Sequence, residues 1–232
     1  MAELKRYLLN SRSPLIGLVM VLPLLVLYNV GLLVTDWRAL NGADLVTWIL
    51  VETLDRTGYL ITQGVVIVAF LIAIGVLQRK RQFHLAYYAP LLAESLVYAL
   101  GMGTLILAVM REAHLLGGAP GEPMGLFTVL TISAGAGVHE ELVFRLLMIP
   151  AIAWLLTRTA GLRPGLAVTL SVVTSSVLFS LAHYLGPESF QLFTFAYRSL
   201  AGLVFAALFL ARGFAVAVYT HALYDVYVLA FR

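Results

Sequence analysis

Four ionisable side chains stand together in His139-Glu140-Glu141-Leu142-Val143-Phe144-Arg145, within a stretch that is otherwise apolar. Farther along, His183 closes Phe179-Ser180-Leu181-Ala182-His183, and His221 and Asp225 are four residues apart in His221-Ala222-Leu223-Tyr224-Asp225. Glu141 and Arg145 are also four apart, so a helix carries them on one face as an ion pair, with the acid on the favourable amino-terminal side. Glu140, one position earlier, is turned about 100° away from that face. A carboxylate in such a place can take a proton from water and return it to a leaving amine. A histidine held by an acid can donate a hydrogen bond to charge developing on a carbonyl oxygen. One glutamate, two histidines and an orienting acid are enough to hydrolyse an amide without a covalent nucleophile.

The elements that must position these groups follow from composition. The 232-residue chain is 61% hydrophobic and 12% charged, against about 25% charged in soluble globular proteins, and its mean hydropathy is +0.95. This predicts an all-α integral membrane protein, with residues 1–232 forming one transmembrane domain. Windows long enough for a bilayer core of about 30 Å are Pro14–Val34, Leu60–Leu77, Leu85–Met110, Gly165–Leu181, Phe190–Leu210 and Phe214–Ala230. In such a solvent each charge costs roughly 2.5–3.5 kcal/mol on insertion scales, so a cluster of them marks a functional site by default.

Met124 to Leu156 is apolar for 33 residues, about 50 Å as one helix, which is long for one perpendicular crossing. Gly135, Gly137 and Pro150 are the candidate break points. A break gives about eight helices with the polar site inside the bundle, and an unbroken tilted run gives seven. Lys5, Arg6 and Arg12 before the first span and Arg79, Lys80 and Arg81 after the second place the amino terminus in the cytoplasm. With eight helices both termini lie there, in a prokaryotic cytoplasmic membrane, and the site works near the cytoplasmic face. Residues 35–57 read as an external loop with a short interfacial helix near Leu45–Leu54, and Arg111, Glu112, His114 and Glu122 as solvated groups of a second loop broken by glycine and proline. Glu94 in the third span either pairs with Arg198 or faces water.

Several chemistries are excluded or narrowed. The chain has no cysteine, which removes disulfides, thiol nucleophiles and thiolate metal sites. Its net charge of +3 comes from small basic groups at segment ends, as expected of topology signals and not of nucleic-acid binding. His139-Glu140 begins like a zinc-protease helix, but position 143 is valine where that motif requires a second histidine. No cofactor is expected, although His183, His221 and a carboxylate would make a possible zinc set.

Glu140-Glu141-x-x-x-Arg145, Phe179-x-x-x-His183 and His221-x-x-x-Asp225, in that order on separate apolar helices, resemble the three motifs of the CAAX-protease and bacteriocin-processing family, which includes the Rce1-type prenyl-protein endopeptidases. The resemblance covers residues 124–228 and takes in Gly202. It implies an intramembrane glutamic protease of eight helices. Carried over, Glu140 activates the attacking water, His183 also holds it, His221 and Asp225 stabilise the oxyanion, and Glu141 with Arg145 supports the site. The implied substrate is a peptide or protein anchored in or near the bilayer, prenylated or otherwise sorted. Two positions depart from the pattern. Asp225 stands where asparagine is more usual, and aspartate donates a hydrogen bond only when protonated. Arg198 lies in an apolar helix outside the motifs. Alternatives from other classes are a non-hydrolytic scaffold or immunity factor, a proton-coupled transporter, and a zinc-assisted protease. Oligomeric state is not legible.

Overall fold

In hydrocarbon a backbone must satisfy its own hydrogen bonds, which leaves helices as the solution for apolar runs of this length. The computed structural model describes residues 2–37, 44–112, 124–186 and 188–230, and these are mostly helical with no strand among them. Helix α1 (Ala2–Asn10) is followed by α2 (Pro14–Met20) and α3 (Leu22–Val34), which together make one apolar run. Next come α4 (Leu45–Arg79) and α5 (Tyr88–Glu112). Helix α6 (Leu126–Gly135) widens into π turns at Ala136–Glu140 and Leu142–Met148 before α7 (Ile149–Thr159), and α8 (Pro164–Ala182), α9 (Leu192–Arg212) and α10 (Phe214–Ala230) complete the bundle.

Six of these runs are long and apolar enough to cross a membrane, and Phe214–Leu229 is a shorter apolar helix. The expected break in the fourth run is absent, because helix is continuous from Leu126 to Thr159. Seven apolar helices, the alternative count, are what the described residues provide. The two candidate glycines serve packing instead. A Cβ on Gly137 would lie 2.8 Å from the Val218 carbonyl oxygen and 3.0 Å from the Ala222 Cβ, so glycine lets α10 approach the π turns, and Gly135 faces the Tyr28 ring. Pro150 follows directly on the second π turn inside the continuous run, where the hydrogen-bond ladder has already departed from the i→i−4 pattern that a proline would break. Length in excess of the hydrocarbon is accommodated by tilt.

Helix α10 is the central staff. It packs on α5, α6, α9, α2 and the first π turns, and Phe214 to Val218 are all buried. Helix α4 lies at the outside, where Ile61, Val65, Val68 and Ile72 present an exposed apolar stripe suited to lipid. Within α4 the chain turns sharply at Asp55, whose φ of 60° and ψ of −179° are not helical. Leu45–Leu54 therefore stands apart as the expected short helix, and Asp55 Oδ1 accepts from the Gly58 N–H at 2.9 Å, capping the longer half.

Two ion pairs differ from expectation. Glu94 pairs with Arg212, at 2.5 and 3.0 Å, and accepts from the Tyr7 hydroxyl at 2.7 Å. Burial and the neighbouring carboxylate hold the Tyr7 phenol above its ordinary range. Arg198 is taken by Glu188 through two bonds of 2.9 Å. Both choices follow from helix ends. Arg212 closes α9 beside α1, whereas Arg198 lies near the start of α9, within reach of the 183–191 connection. His114 and Glu122 lie outside the described residues.

Candidate active site

The polar cluster is built where three helices meet at the π turns. Widened turns are frequent at functional sites because they redirect side chains and free backbone groups. Here the freed Phe144 carbonyl accepts from Ser175 Oγ of α8 at 2.5 Å. That bond fastens α8 to the segment carrying Glu140, Glu141 and Arg145, and all three side chains are essentially fully buried.

Glu141 is the hub of the architecture. Its Oε1 is 2.9 Å from Arg145 Nη1, the expected four-residue pair, and 2.7 Å from His221 Nδ1. A carboxylate only accepts, so Nδ1 of His221 is a donor and its Nε2 points away from Glu141. Arg145 also donates to the Gly202 carbonyl at 3.2 Å, and its guanidinium lies over the Phe179 ring at 4.3 Å. Gly202 allows this approach, since a Cβ there would sit 3.0 Å from the Ser176 Cβ. Phe205 stacks on the His221 ring at 4.2 Å and 17°.

His183 ends α8. Its Nδ1 lies 2.9 Å from the Phe179 carbonyl, which can only accept, so Nδ1 carries the proton and Nε2 faces the cluster. The Nε2 atoms of His183 and His221 are each 3.9 Å from the same oxygen, Oε2 of Glu140. Asp225 Oδ2 is 3.5 Å from His221 Nε2, on the Glu140 side of the ring. All six residues singled out from sequence are therefore brought together. The tether on the far nitrogen of His221 is Glu141, from another helix, and Asp225, one turn along α10, stands beside the nitrogen that faces Glu140. Among the described residues no group of three or more His, Asp or Glu is arranged to hold a metal ion.

One pair escaped the sequence analysis. Asp44, at the start of the short helix in the 35–57 segment, is fully buried and accepts from the Tyr28 hydroxyl at 2.5 Å, the Thr47 N–H at 3.0 Å and His139 Nδ1 at 2.9 Å. The available signal was its position as an acidic cap before Leu45. Its second role, holding the residue next to Glu140 across 95 positions, has no local trace.

A helical bundle that gathers a buried glutamate, two histidines and two further acids holds groups able to exchange protons with water and to hydrogen-bond a carbonyl oxygen. Comparison with family models agrees with that chemistry: residues 122–227 match the family described as type II CAAX prenyl endopeptidase Rce1-like. The matched region holds all six residues. Such a protease acts on a peptide or protein in a membrane setting. Comparison with curated proteins and with solved structures gave no match.

Proposed function

We propose that this protein is an intramembrane glutamic endopeptidase that hydrolyses a peptide bond of a membrane-anchored substrate. The observation that carries the reading is the placing of one Glu140 oxygen 3.9 Å from Nε2 of both His183 and His221. That separation is too long for a direct hydrogen bond and leaves room for one water at about 2.8 Å from each group. In this scheme water bonded to Glu140 and His183 attacks the carbonyl carbon as Glu140 takes its proton. Nε2 of His221, with Asp225 beside it, donates to the oxyanion. The carbon–nitrogen bond then breaks, and Glu140 delivers the proton to the leaving amine, giving an amine and a carboxylic acid that keeps the water's second proton. Glu141 and Arg145 orient His221 and touch no reacting atom. No step uses a metal.

The test is cleavage of a lipid-anchored peptide, with a farnesylated peptide among the probes, by the purified protein in liposomes. Glu140→Gln is nearly isosteric and should remain folded while losing a factor of roughly 10²–10⁴, the usual contribution of a general base. His183→Ala should lose activity comparably. Full activity in either variant refutes the scheme.

A further inference from the structure

We infer that His139, clamped by Asp44, is a positioning residue that aims the Glu140 carboxylate at the two imidazoles. This rests on the catalytic reading above and adds to it a part of the site supplied by the amino-terminal half of the chain, outside residues 122–227. Residues 139, 140 and 141 are consecutive in and beside the first π turn, and successive side chains on a helix point about 100° apart. His139 faces Asp44 and Tyr28, Glu140 faces His183 and His221, and Glu141 faces Arg145 and His221. Glu140 therefore stands between two tied neighbours. A widened turn lacks the regular four-residue bonds that fix side-chain direction in an α-helix. The direction of Glu140 is then set by what holds the residues on either side of it.

The tie at His139 is built as firmly as the one at Glu141. Both His139 and Asp44 are buried. A carboxylate only accepts, so His139 Nδ1 carries the proton it donates to Asp44 Oδ2 at 2.9 Å. The same carboxylate is held twice more, by the Tyr28 hydroxyl of α3 at 2.5 Å and by the Thr47 N–H at 3.0 Å. The Tyr28 ring meets the imidazole edge-on at 5.1 Å. The short helix behind Asp44 is itself seated at both ends. Leu45 packs on the cluster of Phe144, Phe179 and Ala182, and Leu50 and Val51 pack on that of Tyr28, Leu32 and Tyr59. Phe179 is also the ring that meets His183 and His221 edge-on, at 5.1 and 5.9 Å. The element that holds His139 thus rests on the same aromatic wall as the two imidazoles. A carboxylate roughly 6 Å from the helix axis moves about 1 Å for a rotation of about 10°, and a misplacement of that size costs on the order of 10² in rate.

The test uses the full-length protein in liposomes with a farnesylated peptide, kcat and KM being measured separately and kcat expressed per folded molecule from the helicity. His139→Phe keeps a ring against Tyr28 and removes the donor to Asp44, and it should lower kcat by roughly 10- to 100-fold with KM unchanged. His139→Asn, whose amide N–H can still donate to Asp44, should recover most of that loss. The loss should also vanish in the Glu140→Gln background, because a residue that acts through Glu140 then has nothing left to aim. Tyr7→Phe, which takes a hydrogen bond from Glu94 outside the cluster, should leave kcat at its native value. If His139→Phe does not accumulate, Tyr28→Phe removes one donor from Asp44 while keeping every ring, and should lower kcat by a smaller factor with KM unchanged. Native kcat in the folded His139→Phe protein, or in Tyr28→Phe where that variant takes its place, overturns the inference. So does a rise in KM alone, or an equal fall of kcat in the Glu140→Gln background. Full activity in Glu140→Gln refutes the catalytic scheme, whereas a crippled Glu140→Gln beside a native kcat in His139→Phe refutes the positioning role alone.

Discussion

Replacing Arg145 by methionine removes a cation with no solvent exposure and leaves its partner, Glu141, equally buried. The loss includes the ion pair at 2.9 Å, the bond to the Gly202 carbonyl and the contact with the Phe179 ring. These terms overlap, and the governing one is the carboxylate left without its cation, for which breaking a buried pair costs about 3–5 kcal/mol. The double variant Glu141→Gln/Arg145→Met behaves differently. Glutamine keeps an oxygen to accept from His221 Nδ1, methionine fills the volume, and removal of both charges falls within about 1 kcal/mol of neutral. The double variant should therefore be roughly 2–4 kcal/mol more stable than Arg145→Met alone, and the cost of Glu141→Gln completes the cycle. The assay is unfolding in mixed micelles on a rising fraction of denaturing detergent, followed by helicity. A single-variant cost under about 1 kcal/mol, or a double variant as damaged as the two singles summed, would refute the view of this pair as a neutralised unit.

His139→Ala leaves Asp44 buried without its imidazole, and an unfolding titration should show a loss of about 3–5 kcal/mol; Asp44→Asn, which still accepts from Tyr28 and Thr47, should cost less. Gly137→Ala forces a methyl against the Val218 carbonyl, costing about 1–3 kcal/mol, and cleavage assays should show a lower kcat because α10 carries His221 away from Glu140. Hydrolysis should persist undiminished in the presence of zinc chelators; loss that returns on adding zinc would replace the metal-free scheme with a metal-assisted one.

The crossing helices were legible because length and apolarity are local properties. Pro14–Val34 and Phe214–Ala230 are bounded in sequence as they are in space. The Glu141–Arg145 pair was legible for the same reason, as helical periodicity puts both residues on one face. Gly135 and Gly137 misled, since a glycine in an apolar run signals either a break or a close approach, and only the arrival of Tyr28 and α10 distinguishes the two. The short helix before Asp55 was visible, but the burial of its cap was not, because an acid among loop residues looks solvated until His139 is known to face it. Glu94 likewise had two distant arginines to choose between, and the α1–α9 corner determined the choice.

The π turns between Ala136 and Met148 have a consequence for how this segment tolerates change. A widened turn holds about one more residue than an α turn, so the segment stores surplus chain in its helical register. Deleting a single residue there would let one π turn relax to ordinary α-helix and absorb the loss, so the flanking helices keep their register while the residues inside the segment move, carrying Arg145 off the Phe179 ring or Glu140 off the two imidazoles. Substitutions alter one contact at a time, but a change in residue count shifts all of them together. The spacing between Glu140 and Pro150 is therefore a constraint in its own right, separate from the identity of the side chains that occupy it.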